Sequence, residues 1–152
     1  MLETLVTHTA QDCLSLTDAL LRTQRELERI PYFTRKSEKK ILQRQLGMSL
    51  DELSAQLLEL RTLLLGMEEK FRQKRFDALD TMLQTMRYRH MVTLEVLPKL
   101  ADYFRDLSAS LERYITKKSQ KVQWVENYGE RRRLTEKVYN GLHDLYDSLS
   151  VE

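Results

Sequence analysis

The sequence predicts an all-α fold, an elongated coiled-coil-like helical bundle of about four to five helices, on three observations. First, 28 Leu and 6 Met outnumber 7 Val and 3 Ile among the 152 residues. Unbranched apolar side chains keep their rotamer freedom in a helix, whereas β-branched ones favour strands. Second, 4 Gly and 2 Pro leave little material for the turns of an all-β fold. Third, apolar residues recur at alternating three- and four-residue steps over long stretches, the period of a helix face that meets other helices. Charged residues make up 32% of the chain, above the roughly 25% of an average soluble domain. That is the balance of thin helices with much surface.

We expect one helical domain over residues 1–152, with helices at about 2–30, 37–46, 50–97, 98–128 and 131–150. The first carries the seam Leu2, Val6, Thr9, Cys13, Leu16, Leu20, Thr23, Leu27 and Ile30. Leu5, Leu14 and Leu21 widen it beyond a simple zipper. Pro31 stops it, having no N–H to donate. A short second helix ends at Gly47, a residue suited to the left-handed position after a helix. Ser49 then stands three residues before Glu52, with Met48 and Leu53 flanking, the pattern of a capping box with a hydrophobic staple.

The third helix holds Leu50, Leu53, Leu57, Leu60, Leu64, Met67 and Phe71 in unbroken 3-4 spacing, steps in fours through Arg75, and resumes at Leu79, Leu83 and Met86. The stripe stays in phase across Pro98 through Leu100, Phe104, Leu107, Leu111 and Tyr114, so Pro98 is read as a kink rather than an end. Uninterrupted from Leu50 to Asn127, such a helix would span about 110 Å. Gly129 is expected to end it. Asn140-Gly141 is expected to interrupt the last helix, whose face carries Leu134, Val138, Leu142, Leu145 and Leu149.

No catalytic, metal or cofactor site is expected, and the chain is read as a non-enzyme without a small-molecule substrate. His8, His90 and His143 share no ligand spacing, and Cys13 is a single cysteine that anchors neither a zinc site nor an internal disulfide. His90 falls beside the apolar stripe and reads as a structural or interface histidine. Glycine-rich phosphate loops and nucleophile-elbow motifs are missing.

Four basic clusters stand out: Arg35, Lys36, Lys39, Lys40 and Arg44; Lys70, Arg72, Lys74 and Arg75; Lys117, Lys118 and Lys121; and Arg131, Arg132 and Arg133. Arg35, Lys36, Lys39 and Lys40 of the first, with Arg131, Arg132 and Arg133 of the last, are the candidate anion-binding residues. The competing reading is a solvated helix face, and three adjacent arginines must turn one towards the seam. Tyr103, Phe104, Tyr114, Trp124, Tyr128, Tyr139 and Tyr146 crowd the C-terminal third as core or interface aromatics.

The leucines of the third helix cover more of its circumference than one neighbour can bury. Leu53, Leu57, Leu60, Leu64, Met67, Phe71, Leu107, Leu111 and Tyr114 are therefore the expected interface. The function expected is a scaffold or assembly subunit that binds protein partners through its helix seams as a homo- or hetero-oligomer, in a cytoskeletal, kinetochore-like or tethering complex. A peripheral helical dimer on an anionic membrane surface is the alternative, and a small assembly or secretion chaperone a second. A net charge of +2 argues against nucleic acid. With no signal-like start and no apolar run of about 18 residues, the expected location is intracellular, cytoplasmic or nuclear.

Overall fold

The computed structural model of the chain describes residues 2–29, 32–113 and 115–148, with side chains in the second helix from residue 36 onward. Five α-helices follow in order: α1 (Leu2–Glu28), α2 (Tyr32–Leu46), α3 (Leu50–Arg72), α4 (Leu79–Glu112) and α5 (Lys118–Asp147), with a 3-10 turn at Phe76–Ala78 before α4. Among the described residues there is no strand. α1 packs on α3 and α5, and α4 packs on α5, α3 and α2.

The expected boundaries hold at Gly47 and Ser49 and fail elsewhere: α2 begins at Tyr32 rather than 37, and the helix expected over 98–128 is split, α4 ending at Glu112 and α5 beginning at Lys118. Gly47 adopts φ +74° and closes α2, donating its N–H to the Gln43 carbonyl at 2.9 Å. Ser49 caps α3, its Oγ accepting the Glu52 N–H at 3.1 Å. The single helix expected over 50–97 is instead two antiparallel helices. α3 ends in a Schellman motif: Arg75 N–H donates to the Lys70 carbonyl at 2.9 Å and Lys74 N–H to the Phe71 carbonyl at 3.1 Å. Lys74 takes the left-handed position, φ 57°, that glycine usually fills. Lys70, Arg72, Lys74 and Arg75 thus surround the negative end of the α3 dipole, which accounts for that basic cluster. Phe71 and Phe76 close the turn edge to face, 6.2 Å between ring centres. The rod of about 110 Å is thereby folded back on itself, and α4, the longest helix at 34 residues, spans about 50 Å.

α4 runs through Pro98, as the in-phase stripe implied, but its irregularity lies two turns earlier. His90 has φ −119° and ψ 22°, outside helical values. Its i−4 partner, the Met86 carbonyl, also accepts the Tyr146 hydroxyl from α5 at 3.4 Å. A side chain competing for a helical carbonyl is a recognised cause of a kink.

Nor do the glycines of α5 end it. Gly129 and Gly141 both lie inside the 30-residue helix. Gly141 is a point of close approach between α5 and α1. A Cβ there would overlap the Thr9 hydroxyl and sit 3.2 Å from Thr9 Cγ2. The cost of a helical glycine, about 1 kcal/mol, is offset by the close packing it permits. Ile30, Pro31 and Leu149 lie outside the described residues.

The helices pair in register. Seven residues down α3, from Glu59 to Gly66, correspond to seven back along α4, from Arg89 to Met82. The same register reaches α2, where Glu38 accepts a hydrogen bond from Ser110 at 2.7 Å. α2 and α3 are in effect one interrupted helix laid antiparallel along α4, broken at Gly47–Ser49.

Candidate interaction surface

The residues expected to meet another chain are spent inside this one. Leu53, Leu57, Leu60, Leu64 and Met67 of α3, and Leu107 and Leu111 of α4, are all buried in the bundle core. Phe71 packs partly buried against it, and Tyr114 lies outside the described residues. The correction has a simple cause. Once α3 and α4 fold back on each other, α1, α4 and α5 supply the cover that a straight rod would have needed from partners. Of the aromatics, Tyr103, Phe104, Tyr128 and Tyr146 are core, while Trp124 and Tyr139 are packed at its edge.

The Arg131–Arg133 run divides as helical geometry requires. Arg131 points inward and is buried. Its guanidinium grips Glu26 of α1 with both arms, Nη1 to Oε2 at 2.8 Å and Nη2 to Oε1 at 2.9 Å. Nη1 also donates to Thr23 Oγ1 at 3.0 Å. The Tyr128 hydroxyl donates to Glu26 Oε2 at 2.7 Å, and the guanidinium lies 4.5 Å from the Tyr128 ring centre. Burial disfavours the arginine cation, but the hydrogen bonds and charge of Glu26, with Tyr128 adding to them, outweigh it and hold its pKa above the ordinary value. Burial first, then Glu26, pushes the Tyr128 phenol up, so it stays a donor. Arg131 is therefore not an anion-binding residue. Arg132 reaches Glu136 at 3.7 Å, and Arg133 is exposed. Of the first cluster, Lys36, Lys39 and Lys40 are exposed on α2, while the Arg35 side chain lies outside the described residues.

A second buried polar group sits at the α4 kink. The His90 side chain is 1% exposed and 3.5 Å from Glu59 Oε1 of α3, which also takes Arg89 Nη1 at 3.1 Å. Neither His90 ring nitrogen has a hydrogen bond of good geometry. Burial lowers the His90 pKa below its ordinary 6.5, opposed by Glu59. The folded chain thus binds fewer protons here than the unfolded chain, and stability is lost as the pH falls below about 6.5. Thermal melts of the wild type are expected to shift down between neutral pH and pH about 5, and His90→Leu to flatten that shift. Superimposable pH profiles would remove the histidine from this role.

On the outside, apolar side chains gather on α4 where the bundle cannot reach them. Tyr88 is 90% exposed, Val92 61% and Met91 39%. On the helix they lie opposite the core residues Leu83, Met86, Leu94 and Leu97. Gln84, Arg87, Tyr88 and Met91 line one shallow hollow, and Val92 lines a groove against Met48, Ala55 and Gln56 of the α3 start. The sequence reading missed this patch because Met91 and Val92 abut the apolar stripe. The missing signal was angular: three apolar residues on the wrong side of an otherwise polar face.

Among the described residues, no group of three or more His, Cys, Asp or Glu side chains could hold a metal ion. No described helix is long and apolar enough to cross a membrane. Burial, and Asp12 after it, pushes the Cys13 thiol up to about 12, so it packs as an inert small apolar side chain. Comparison of the chain with family models, curated proteins and solved structures finds no match in any of the three.

Proposed function

We propose that the chain is a non-enzymatic scaffold or assembly subunit that binds a protein partner, and that the outer face of α4 makes the contact. The observation that carries this is Tyr88, 90% exposed at the centre of a patch with Met91 and Val92. Aromatic residues, Met and Arg are the types enriched at protein interfaces, and Arg87 and Arg89 flank the patch. A surface Tyr that only met water would give nothing to the fold, whereas its ring offers a large rigid contact with a polar tip. The rest of the molecule supports the same reading: Arg131 is tied up in helix-to-helix bonds with Glu26 and Thr23, and the leucine seam of α3 is filled from within the bundle.

Tyr88→Asp combined with Val92→Asp tests the proposal, because both positions are exposed and the fold should persist by circular dichroism. Light-scattering mass of the wild type alone separates a second copy from a different chain as partner. In either case the double variant should abolish the complex, whether a homodimer or an assembly purified from the source cells. A complex that survives both substitutions would sink this reading.

A further inference from the structure

The net charge of +2 conceals a strong separation. Residues 22–46 contain eight Lys and Arg against three Asp and Glu, and residues 113–121 contain four against none, a net of +9 in these two segments and −7 in the remainder. The fold brings the two segments to one end of the bundle. Ser110, in the last turn of α4, donates to Glu38 of α2, so α2 stands beside the point where α4 hands over to α5. Two of the three acids in residues 22–46 are turned inward, Glu38 buried on Ser110 and Glu26 taken by Arg131 and Tyr128, while Glu28 stays exposed.

Lys36, Lys40 and Arg44 succeed one another at four-residue steps on the outer side of α2, and all three are exposed. On α5, Lys117, Lys118 and the partly exposed Lys121 open the helix. Among the described residues none of these six makes an ion pair. Helix N-termini favour negative side chains, yet neither α2 nor α5 has an acid in its first turn, and α5 places cations there with no side-chain cap. An arrangement that repels itself and opposes the helix dipole costs stability, and an external anionic surface would relieve it.

We infer that this end of the bundle docks on an anionic lipid surface. What favours lipid over nucleic acid is the apolar company of the cations. Ile41 beside Lys40, and Val122 and Val125 following Lys121, are exposed aliphatic side chains. Aliphatics among lysines suit the boundary between headgroups and acyl chains. Single-stranded nucleic acid would call for exposed aromatics to stack on, and among the described side chains Trp124, which follows Lys121 and Val122 on α5, is turned to the core edge with its Nε1 donating to the Ser108 carbonyl at 3.2 Å.

The test is flotation of the full chain with vesicles of equal parts phosphatidylserine and phosphatidylcholine, against phosphatidylcholine alone. Binding to the anionic vesicles, absent on the neutral ones and weakened by salt, is the expected result. Each lysine near such a surface accounts for about a fivefold change in partition. Replacing Lys36, Lys40, Lys118 and Lys121 by Gln should therefore lower binding by at least about a hundredfold. The same exchange at Lys70, Arg72, Lys74 and Arg75, at the opposite end, should leave most of it. Tyr88→Asp should not affect it, which keeps this result separate from the partner contact on α4. Absence of flotation, equal loss in both quadruple variants, or tighter binding to a short RNA duplex than to the vesicles would each overturn the inference.

Discussion

A chain carrying Leu60→Asp and Leu64→Asp is expected not to fold. Both leucines are fully buried at the centre of the α3 seam, one turn apart, facing α1 and the rest of the core. Removing either side chain alone would cost about 2–5 kcal/mol in lost burial and cavity. Each carboxylate adds the penalty of a buried polar group without a partner, about 1–3 kcal/mol even after it takes up a proton. The combined loss is on the order of 6–16 kcal/mol against a typical total stability of about 5–15. Circular dichroism should show lost helicity, and proteolysis should cut throughout. Had the seam been a surface between chains, the same variant would be a folded monomer. A helical, protease-resistant monomer would therefore overturn the placement of α3 in the core.

Glu26→Ala is expected to have the next largest effect. It strands the Arg131 guanidinium in a buried site, with the carboxylate that took both its arms gone and the Tyr128 hydroxyl without its acceptor. Breaking a buried ion pair from one side typically costs about 3–5 kcal/mol. At about 2–4 °C per kcal/mol for a domain of this size, the melting temperature should fall by roughly 10 °C. The paired replacement Glu26→Leu with Arg131→Met should recover most of that loss, since an apolar pair of similar volume is often no worse than the ion pair. If the double variant melts as low as Glu26→Ala alone, the cost lies in packing around Tyr128 and not in the unpaired charge.

What the sequence made legible was local. Leu and Met at helical spacing announced helices, and Gly47 and Ser49 marked a boundary because their conformational and hydrogen-bonding roles do not depend on neighbours. The turn at Gln73–Arg75 was invisible for the converse reason. Its left-handed residue is Lys74, which carries no glycine signature, and the motif is recognised by its backbone bonds. Gly129 and Gly141 misled in the opposite direction, since packing overrode a propensity cost of about 1 kcal/mol. Missing one turn changed the inferred interface: with α3 and α4 joined, the leucine seam exceeded its cover, and with them folded back it is covered. That one arginine of the triple run must face the seam was legible. Its partner, Glu26, was not, because 105 residues separate them and no local pattern links the two.

The placement of α1 between α3 and α5 has a consequence for how the molecule is made. During synthesis α1 emerges before the other four helices and can lie on α3 as soon as α3 has formed. Its other flank, including Thr9, Thr23 and Glu26, has no cover until α5 follows. Within this bundle, the helix translated last, α5, therefore seals the one translated first, α1. A nascent chain paused after α4 carries this flank of α1 open, with the Glu26 carboxylate still waiting for its arginine. Intermediates of that kind are the ones that aggregate or engage chaperones, so the ribosome's progress through residues 118–147 is the interval in which this chain is most exposed to misassembly.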